Sequence, residues 1–224
     1  MLVKNWMNTP VITIDVHDSM QDAINLLKNN RISMLPVMDN KRLVGIVTDR
    51  DLKKASPSDA TTLDVHELLY LLSTIQIKDI MSTKPITVPP DFTIEETAEI
   101  LMSNKISGVP VMDDDGSILG VITHTDLFKV IISLTSIGKR GIQFAFCLED
   151  RGGSILEVAQ VIREFGGRII SILTSYAAPE GYRNVYIRMY DIDRSKLEAL
   201  RTALKEKFKL LYMVDHKNNT REIY

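Results

Sequence analysis

The side chains best suited to binding a small polar ligand occur twice in this sequence, in two similar eight-residue segments. The first, GIVTDRDL, spans residues 45–52, and the second, GVITHTDL, spans residues 120–127. In each segment a threonine precedes an aspartate by three positions, where an apolar run gives way to a helical pattern. Side chains with this spacing lie on one face of a first helical turn. A carboxylate there can accept hydrogen bonds from both hydroxyls of a ribose.

The two segments differ in charge at one central position. Arg50 directly precedes Asp51, whereas Thr125 precedes Asp126. A guanidinium can hold a phosphate in a bidentate fork, and the free N–H groups of a helix start also attract anions. We therefore expect two unequal sites, of which the one that contains Arg50 binds a phosphate-bearing ligand better.

The same residues also have a purely structural interpretation. Thr48 and Thr123 are suitable helix N-caps, and Asp51 and Asp126 would complement the positive ends of the two helix dipoles. In this alternative no ligand is needed to explain the repeated segment.

Both segments belong to a longer internal repeat. A shift of 74 positions aligns residues 3–14 with 77–88 and residues 29–39 with 103–113. Of the 36 aligned positions from Lys4 to Asp39, 13 are identical. Each copy predicts the order βαββα, from its alternating and helical apolar patterns. Since one such unit can bury only part of an apolar face, we expect the two copies to share a core.

The remaining sequence divides into a connector and a C-terminal third. The connector at 56–76 starts with a polar loop, and its second half predicts a helix. From Gly141 onward the patterns predict the order βαββαβ, a split-βαβ arrangement, and residues 217–224 are expected to form a tail. The whole chain is therefore expected to be of the α+β class.

Composition and charge exclude several classes of protein. The net charge of −2 argues against a nucleic-acid-binding protein, although it is uneven, at −6 over residues 1–137 and +4 over residues 138–224. No apolar run reaches about 18 residues, and the N-terminus has no signal-peptide core. The single cysteine, Cys147, fits a reducing compartment. We expect a cytoplasmic protein that has no membrane segment.

Nothing in the sequence predicts catalysis or a resident metal ion. The four histidines fall in separate elements, and none has a partner at metal-ligand spacing. No nucleophile elbow, P-loop or dinucleotide fingerprint is present. Cys147 lies in an alternating strand, where packing is the expected role.

The duplicated half resembles a tandem pair of CBS domains, also known as a Bateman module. The resemblance depends on two patterns that both occur twice, P-V-x-D after the first helix and G-h-h-T-x-x-D-L (h apolar) after the next two strands. It implies CBS domains at residues 1–55 and 77–137. It also implies a regulatory adenosine nucleotide (AMP, ADP or ATP), with Arg50 or bound Mg²⁺ offsetting its charge.

The resemblance implies a role for each site residue. It places Asp51 and Asp126 on the ribose, and Thr48 and Thr123 near the phosphates. It places the adenine against one of two sets of residues: Ile12, Thr13, Ser33, Met34 and Pro36, or Ile86, Thr87, Ser107, Gly108 and Pro110.

Residues 138–216 resemble an ACT domain, a small regulatory module of ferredoxin-like fold that often dimerises and binds amino acids. The turn that carries the resemblance departs from the usual D-x-P-G-x-L, because Gly152 replaces the proline and Ile155 the leucine. We expect this domain mainly to dimerise. A possible ligand turn comprises Asp150, Arg151, Gly152, Gly153 and Ser154.

Two CBS units followed by an ACT unit resemble the acetoin utilisation family AcuB across nearly the whole chain. The resemblance implies a non-catalytic, homodimeric regulator that acts on an unknown partner enzyme. Two hypotheses from different classes remain. The chain is either a sensor of an adenosine nucleotide or a ligand-free scaffold that holds an assembly together.

Overall fold

The computed structural model describes residues 1–56 and 64–224 and has a mixed α and β fold. These residues form two compact units, Met1–Phe128 and Lys129–Tyr224, and the division falls inside one continuous helix. The sequence had placed this boundary nine residues later, after residue 137. Of the polar loop predicted at 56–62, residues 57–62 lie outside the described residues.

The first repeat has the predicted order of elements. Its first helix begins at a capping box, in which the Ser19 hydroxyl accepts a hydrogen bond from the Asp22 N–H while the Asp22 carboxylate accepts one from the Ser19 N–H. The elements are β1 (Ile14–Asp15), α1 (Met20–Asn30), β2 (Met34–Asp39), β3 (Arg42–Thr48) and α2 (Asp49–Ala55).

After the connector, the second repeat has the same order of elements as the first, except that one expected strand is only a bridge. The strand expected near residues 86–88 is only a parallel bridge between Val88 and Val111. The helix after it starts at a second capping box, formed by Thr93 and Glu96. The elements are α3 (Val65–Thr74), α4 (Ile77–Ile80), β4 (Ser82–Thr83), α5 (Ile94–Asn104), β5 (Gly108–Met112), β6 (Ile118–Thr123) and α6 (His124–Thr135).

The two repeats exchange their N-terminal segments. Strand β4 of the second repeat pairs antiparallel with β3 of the first, so that β1, β2, β3 and β4 form one sheet in that order. In the reciprocal contact, Asn8 of the first repeat forms an antiparallel bridge to Val121 in β6. Each repeat therefore completes the strands of the other, which is how the pair shares buried surface.

These exchanged segments explain the glycine that opens each repeated phrase. A β-carbon on Gly45 would lie 2.6 Å from the sulfur of Met81, and one on Gly120 would lie 2.5 Å from the sulfur of Met7. Real β-carbons do not approach a neighbour so closely, so only glycine fits at either position while the methionine stays in place.

The second unit contains one five-stranded sheet, with the strand order β11-β10-β7-β9-β8. Helices α7 and α8 contribute Val158, Ile162, Leu200 and Leu204 to a core shared with this sheet. The elements are β7 (Ile142–Glu149), α7 (Ser154–Glu164), β8 (Arg168–Ser175), β9 (Tyr182–Tyr190), α8 (Leu197–Lys207), β10 (Lys209–Asp215) and β11 (Thr220–Ile223).

The last strand corrects the expectation of a C-terminal tail. Residues 220–223 pair antiparallel with β10, from Asp215↔Thr220 to Tyr212↔Ile223. The chain reverses through a tight turn in which Asn219 has a φ of 54°, a left-handed conformation that asparagine tolerates. The extra strand lengthens the sheet at the β10 edge. None of the helices in the described ranges is long and apolar enough to cross a bilayer.

Candidate functional site

A cavity of about 570 Å³ lies in the first unit, where α2 begins, and both repeats contribute to it. From the first repeat it is lined by Ser33, Ile46, Thr48, Asp49, Arg50 and Asp51. From the second repeat it is lined by Ser82, Thr83, Lys84, Pro85, Ile86, Lys105, Ile106, Ser107, Gly108 and His124. We refer to it as the Asp51 cavity.

The Asp51 carboxylate is fixed by the start of its own helix. The Thr48 N–H and hydroxyl donate to Asp51 Oδ2 over 2.9 and 2.6 Å, and the Asp51 N–H donates to the Thr48 hydroxyl over 3.4 Å. Thr48 is thus the N-cap that the structural alternative predicts, and the reciprocal bonds to Asp51 complete a capping box. Every described hydrogen bond to the carboxylate ends on Oδ2, so the capping role and a ligand at Oδ1 are compatible.

The residues expected around an adenine are distributed between the repeats in an unexpected way. Ile86, Ser107 and Gly108 of the second repeat line the cavity that holds Asp51 of the first, and Ser33 lines it as well. The carboxylate of one repeat therefore combines with the candidate base-contacting residues of the other. The predicted residues that do not line this cavity are Ile12, Thr13, Met34, Pro36, Thr87, Pro110, Thr123 and Asp126.

Positive charge in the cavity comes from three side chains. Arg50 is joined by Lys84 and Lys105, which the sequence analysis missed, and all three are exposed. Within the described ranges none of the three forms an ion pair, whereas Asp49 pairs with Lys53. One of the two lysines could have been noticed in the sequence, because Lys84 is aligned with the uncharged Pro10 of the first repeat.

The equivalent carboxylate of the second repeat has a different environment. Asp126 is only 1% exposed, and its Oδ2 accepts hydrogen bonds from the Thr123 N–H over 2.9 Å and from the Thr123 hydroxyl over 2.7 Å. The same oxygen also accepts from the Asn8 side-chain amide over 2.7 Å. The Asn8 amide therefore helps to cover a carboxylate that is almost fully buried.

The position of Gly108 also differs between the repeats. Its counterpart in the first repeat is Met34, which is buried at 4% exposure. The sulfur of Met34 lies so close to Gly108 that an added β-carbon there would be 2.6 Å away. Gly108 thus lines the Asp51 cavity without a side chain, whereas the residue aligned with it in the first repeat, Met34, has a long one.

The possible ligand turn of the second unit is held together by its own charges. The Arg151 guanidinium donates to both Glu157 oxygens over 2.7 and 2.8 Å, and these bonds lower the pKa of Glu157. It also donates to Glu149 over 3.1 Å. Arg151 and Ser154 line a cavity of about 260 Å³. Asp150, Gly152 and Gly153 do not line it.

The same turn begins helix α7. Gly153 precedes the helix with a φ of 88°, a left-handed conformation suited to glycine. The Ser154 hydroxyl accepts from Arg183 Nη2 over 3.2 Å, and Arg183 Nε lies 3.5 Å from Asp150. These contacts brace the turn from the neighbouring strand β9. Among the described residues, no group of three or more His, Cys, Asp or Glu side chains could hold a metal ion.

Comparison with known proteins gives a family match that covers half of the chain. The model of the CBS domain family matches residues 3–58 and again residues 77–133. A CBS-domain-containing protein of Dictyostelium discoideum is 32% identical over 134 residues, which cover 59% of this chain and 92% of that protein. An uncharacterized protein of Methanocaldococcus jannaschii is 31% identical over 155 residues, with coverage of 59% and 92%.

A solved structure gives the same match at the level of the fold. The CBS domain of a CBS-domain-containing membrane protein from Sphaerobacter thermophilus covers 58% of this chain and 86% of its own, with 24% identity and a TM-score of 0.51. The two relatives named above are each aligned over 92% of their length, so they contain little beyond the matching region. The predicted tandem pair is therefore confirmed.

Proposed function

This chain belongs to the CBS domain family, and from that premise we propose that it is a non-catalytic regulator that binds an adenosine nucleotide in the Asp51 cavity. The observation that carries the proposal is the convergence of the Asp51 carboxylate, a small-residue wall and three cations on one cavity. The carboxylate belongs to one repeat, and the wall of Ser107 and Gly108 to the other. Ligand binding would therefore couple the two repeats.

The size and lining of the cavity support a nucleotide. A volume of about 570 Å³ lies within the ordinary range for sites that bind small molecules. Ile46, Ile86 and Ile106 supply apolar surface for a base, and Asp51 supplies an acceptor for ribose hydroxyls. The helix start at Asp49 adds N–H groups that favour anions.

The charges of the cavity favour a ligand that carries phosphate. Arg50, Lys84 and Lys105 together provide the positive charge that the sequence analysis had assigned to Arg50 or to Mg²⁺ alone. These positive charges attract the phosphates of AMP, ADP and ATP, whereas they do not attract the cationic S-adenosylmethionine. With three cations present, Mg²⁺ is not required for binding, although it can accompany ATP.

For the second unit we propose an ACT-type module of ferredoxin-like fold. The order βαββαβ and the strand order β10-β7-β9-β8 support this assignment, and β11 is an addition at one edge. In this proposal the module joins two chains into a homodimer and transmits the nucleotide signal to a partner enzyme. Through the resemblance to AcuB, the proposal extends to acetoin or related carbon metabolism.

The test is a calorimetric titration of the purified chain with AMP, ADP, ATP, NAD and S-adenosylmethionine, beside Asp51→Ala and the control Asp114→Ala. Asp114 lies in an exposed turn between β5 and β6, away from the cavity. Micromolar binding of a phosphate-bearing ligand that Asp51→Ala removes and Asp114→Ala keeps is the expected result. A thermal unfolding curve for each variant shows that the fold is intact.

The alternative function is a ligand-free scaffold, and the capping box of Thr48 and Asp51 favours it, because capping alone explains both residues. Absence of binding across the whole panel, with a folded protein, would make the scaffold the better account.

A further inference from the structure

We infer that each chain binds a single nucleotide, because the second carboxylate that the duplication provides, Asp126, is buried and already bonded to Asn8. This inference rests on the proposed function and specifies which of the two duplicated sites carries it. Three differences between the repeats support it, each at a residue of the Asp51 cavity and its counterpart in the repeat alignment.

The first difference lies at the ribose-binding carboxylate. Ser82 lines the Asp51 cavity, and its counterpart in the first repeat is Asn8. The longer amide donates to Asp126 Oδ2 over 2.7 Å and helps to cover a residue that is only 1% exposed. The backbone of Asn8 is fixed as well, because its N–H donates to the Val121 carbonyl over 2.8 Å and its carbonyl accepts from the Val121 N–H over 3.2 Å. Asn8 is thus an internal occupant with the hydrogen-bonding chemistry of the ligand.

The second difference lies at the wall expected to face the base. Gly108 lines the Asp51 cavity, and Met34 stands at the equivalent position of the first repeat with 4% of its surface exposed. A buried, unbranched thioether fills irregular space well. The position that corresponds to this glycine therefore carries a packed side chain, which would have to move before the backbone there could be exposed as it is at Gly108.

The third difference is the loss of positive charge. The counterparts of Arg50, Lys84 and Lys105 are Thr125, Pro10 and Arg31. Three cations are therefore reduced to one in the second site. Since phosphate binding depends on such charges, a nucleotide at the counterpart positions would be held less well than one in the Asp51 cavity.

If Asn8 blocks the site at Asp126, an asparagine at the equivalent position, Ser82, should block the site at Asp51. A substitution at Ser82 can test this. Ser82→Asn places beside Asp51 the amide that Asn8 places beside Asp126, and we expect the affinity for ADP to fall at least about tenfold, as expected when one ligand hydrogen bond to a charged group is lost. The matched control is Ser117→Asn, the same chemical change at an exposed turn position outside the cavity, which should bind ADP like the parent chain.

Stoichiometry distinguishes this inference from the proposed function. Calorimetric titration of the full chain with ADP should give one ligand per chain, lost in Asp51→Ala, with the Ser82→Asn effect described above. Two ligands per chain in the parent protein would overturn the inference and leave the proposed function standing. So would one ligand that survives Asp51→Ala or is unaffected by Ser82→Asn. No binding of any nucleotide would overturn the proposed function itself.

Discussion

Met81 of the second repeat packs directly on Gly45 of the first, so closely that a β-carbon on Gly45 would lie 2.6 Å from the methionine sulfur and 2.9 Å from the carbonyl oxygen of Ser82. Ser82 also lines the Asp51 cavity. The contact that joins the two repeats is therefore also one wall of the proposed binding site.

The first prediction concerns this contact. Gly45→Ala should destabilise the protein by about 1–3 kcal/mol, because the methionine and the backbone of β4 must both shift to admit a methyl group. Urea unfolding measures the change. Gly138→Ala is the matched control, since an added β-carbon there meets no atom within 4 Å. If both variants unfolded at the same urea concentration, the close packing at Gly45 would not be a feature of the protein in solution.

The second prediction concerns the cations of the cavity. Replacing Lys84 and Lys105 by methionine should weaken ADP binding by about 1 kcal/mol or more per charge, the scale of charge pairs near a protein surface, while adenosine binding stays unchanged. The affinity for ADP should also become less sensitive to salt. Titrations with both ligands at two salt concentrations provide the measurement. Lys78→Met, which removes an exposed charge outside the cavity, is the control.

The third prediction concerns a buried arginine in the second unit. Arg188 is 4% exposed and donates to Gln143 Oε1 over 2.9 Å, whereas its Nε and Nη1 are buried and have no hydrogen-bond partner among the residues that the structure describes. Burial lowers its pKa. Replacing it by methionine of similar length should raise the free energy of unfolding by about 1 kcal/mol, because a buried charge without an anionic partner destabilises a fold.

Chemical unfolding of Arg188→Met beside Arg168→Met tests this. Arg168 is exposed on β8, so its replacement should change stability by less than about 0.5 kcal/mol. Destabilisation of Arg188→Met would contradict the prediction and show that the charge is compensated in solution.

The fourth prediction concerns pH. Burial, followed by the charges of Arg188 and Arg221, lowers the pKa of His216, and its Nε2 is buried without a partner. The unfolded chain, with an ordinary pKa near about 6.5, therefore binds this proton more readily than the folded chain. The contribution of His216 to stability should therefore be largest above about pH 6.5, fall as the pH drops below that value, and level off below the folded pKa. In His216→Gln the slope between about pH 5 and 7 should be reduced, as measured by unfolding at several pH values.

The sequence was informative where a pattern depended on neighbouring residues. The helix starts at Ser19 and Thr93 are visible because a capping box needs only two side chains three positions apart, and the duplication identified the CBS pair. The exchange of N-terminal segments was not visible, because alignment of the repeats shows which residues are equivalent and not which ones meet. Lys84 and Lys105 were missed for that reason.

The last strand shows a second limit. The segment 220–223 is short and mostly polar, so its sequence has no apolar alternation that could indicate a strand. It forms a strand because it pairs with β10. The adjacent asparagines at 218 and 219 were the available signal for a reversal of the chain.

The exchange between the repeats also constrains when the first unit can form during synthesis. The amide of Asn8 bonds to Asp126, which lies 118 positions further along the chain, and Met7 packs on Gly120. Contacts between residues so far apart must wait for long-range loop closure, which slows folding. The N-terminal segment therefore leaves the ribosome well before its partner exists, and the unit can complete its core only after α6 has been made.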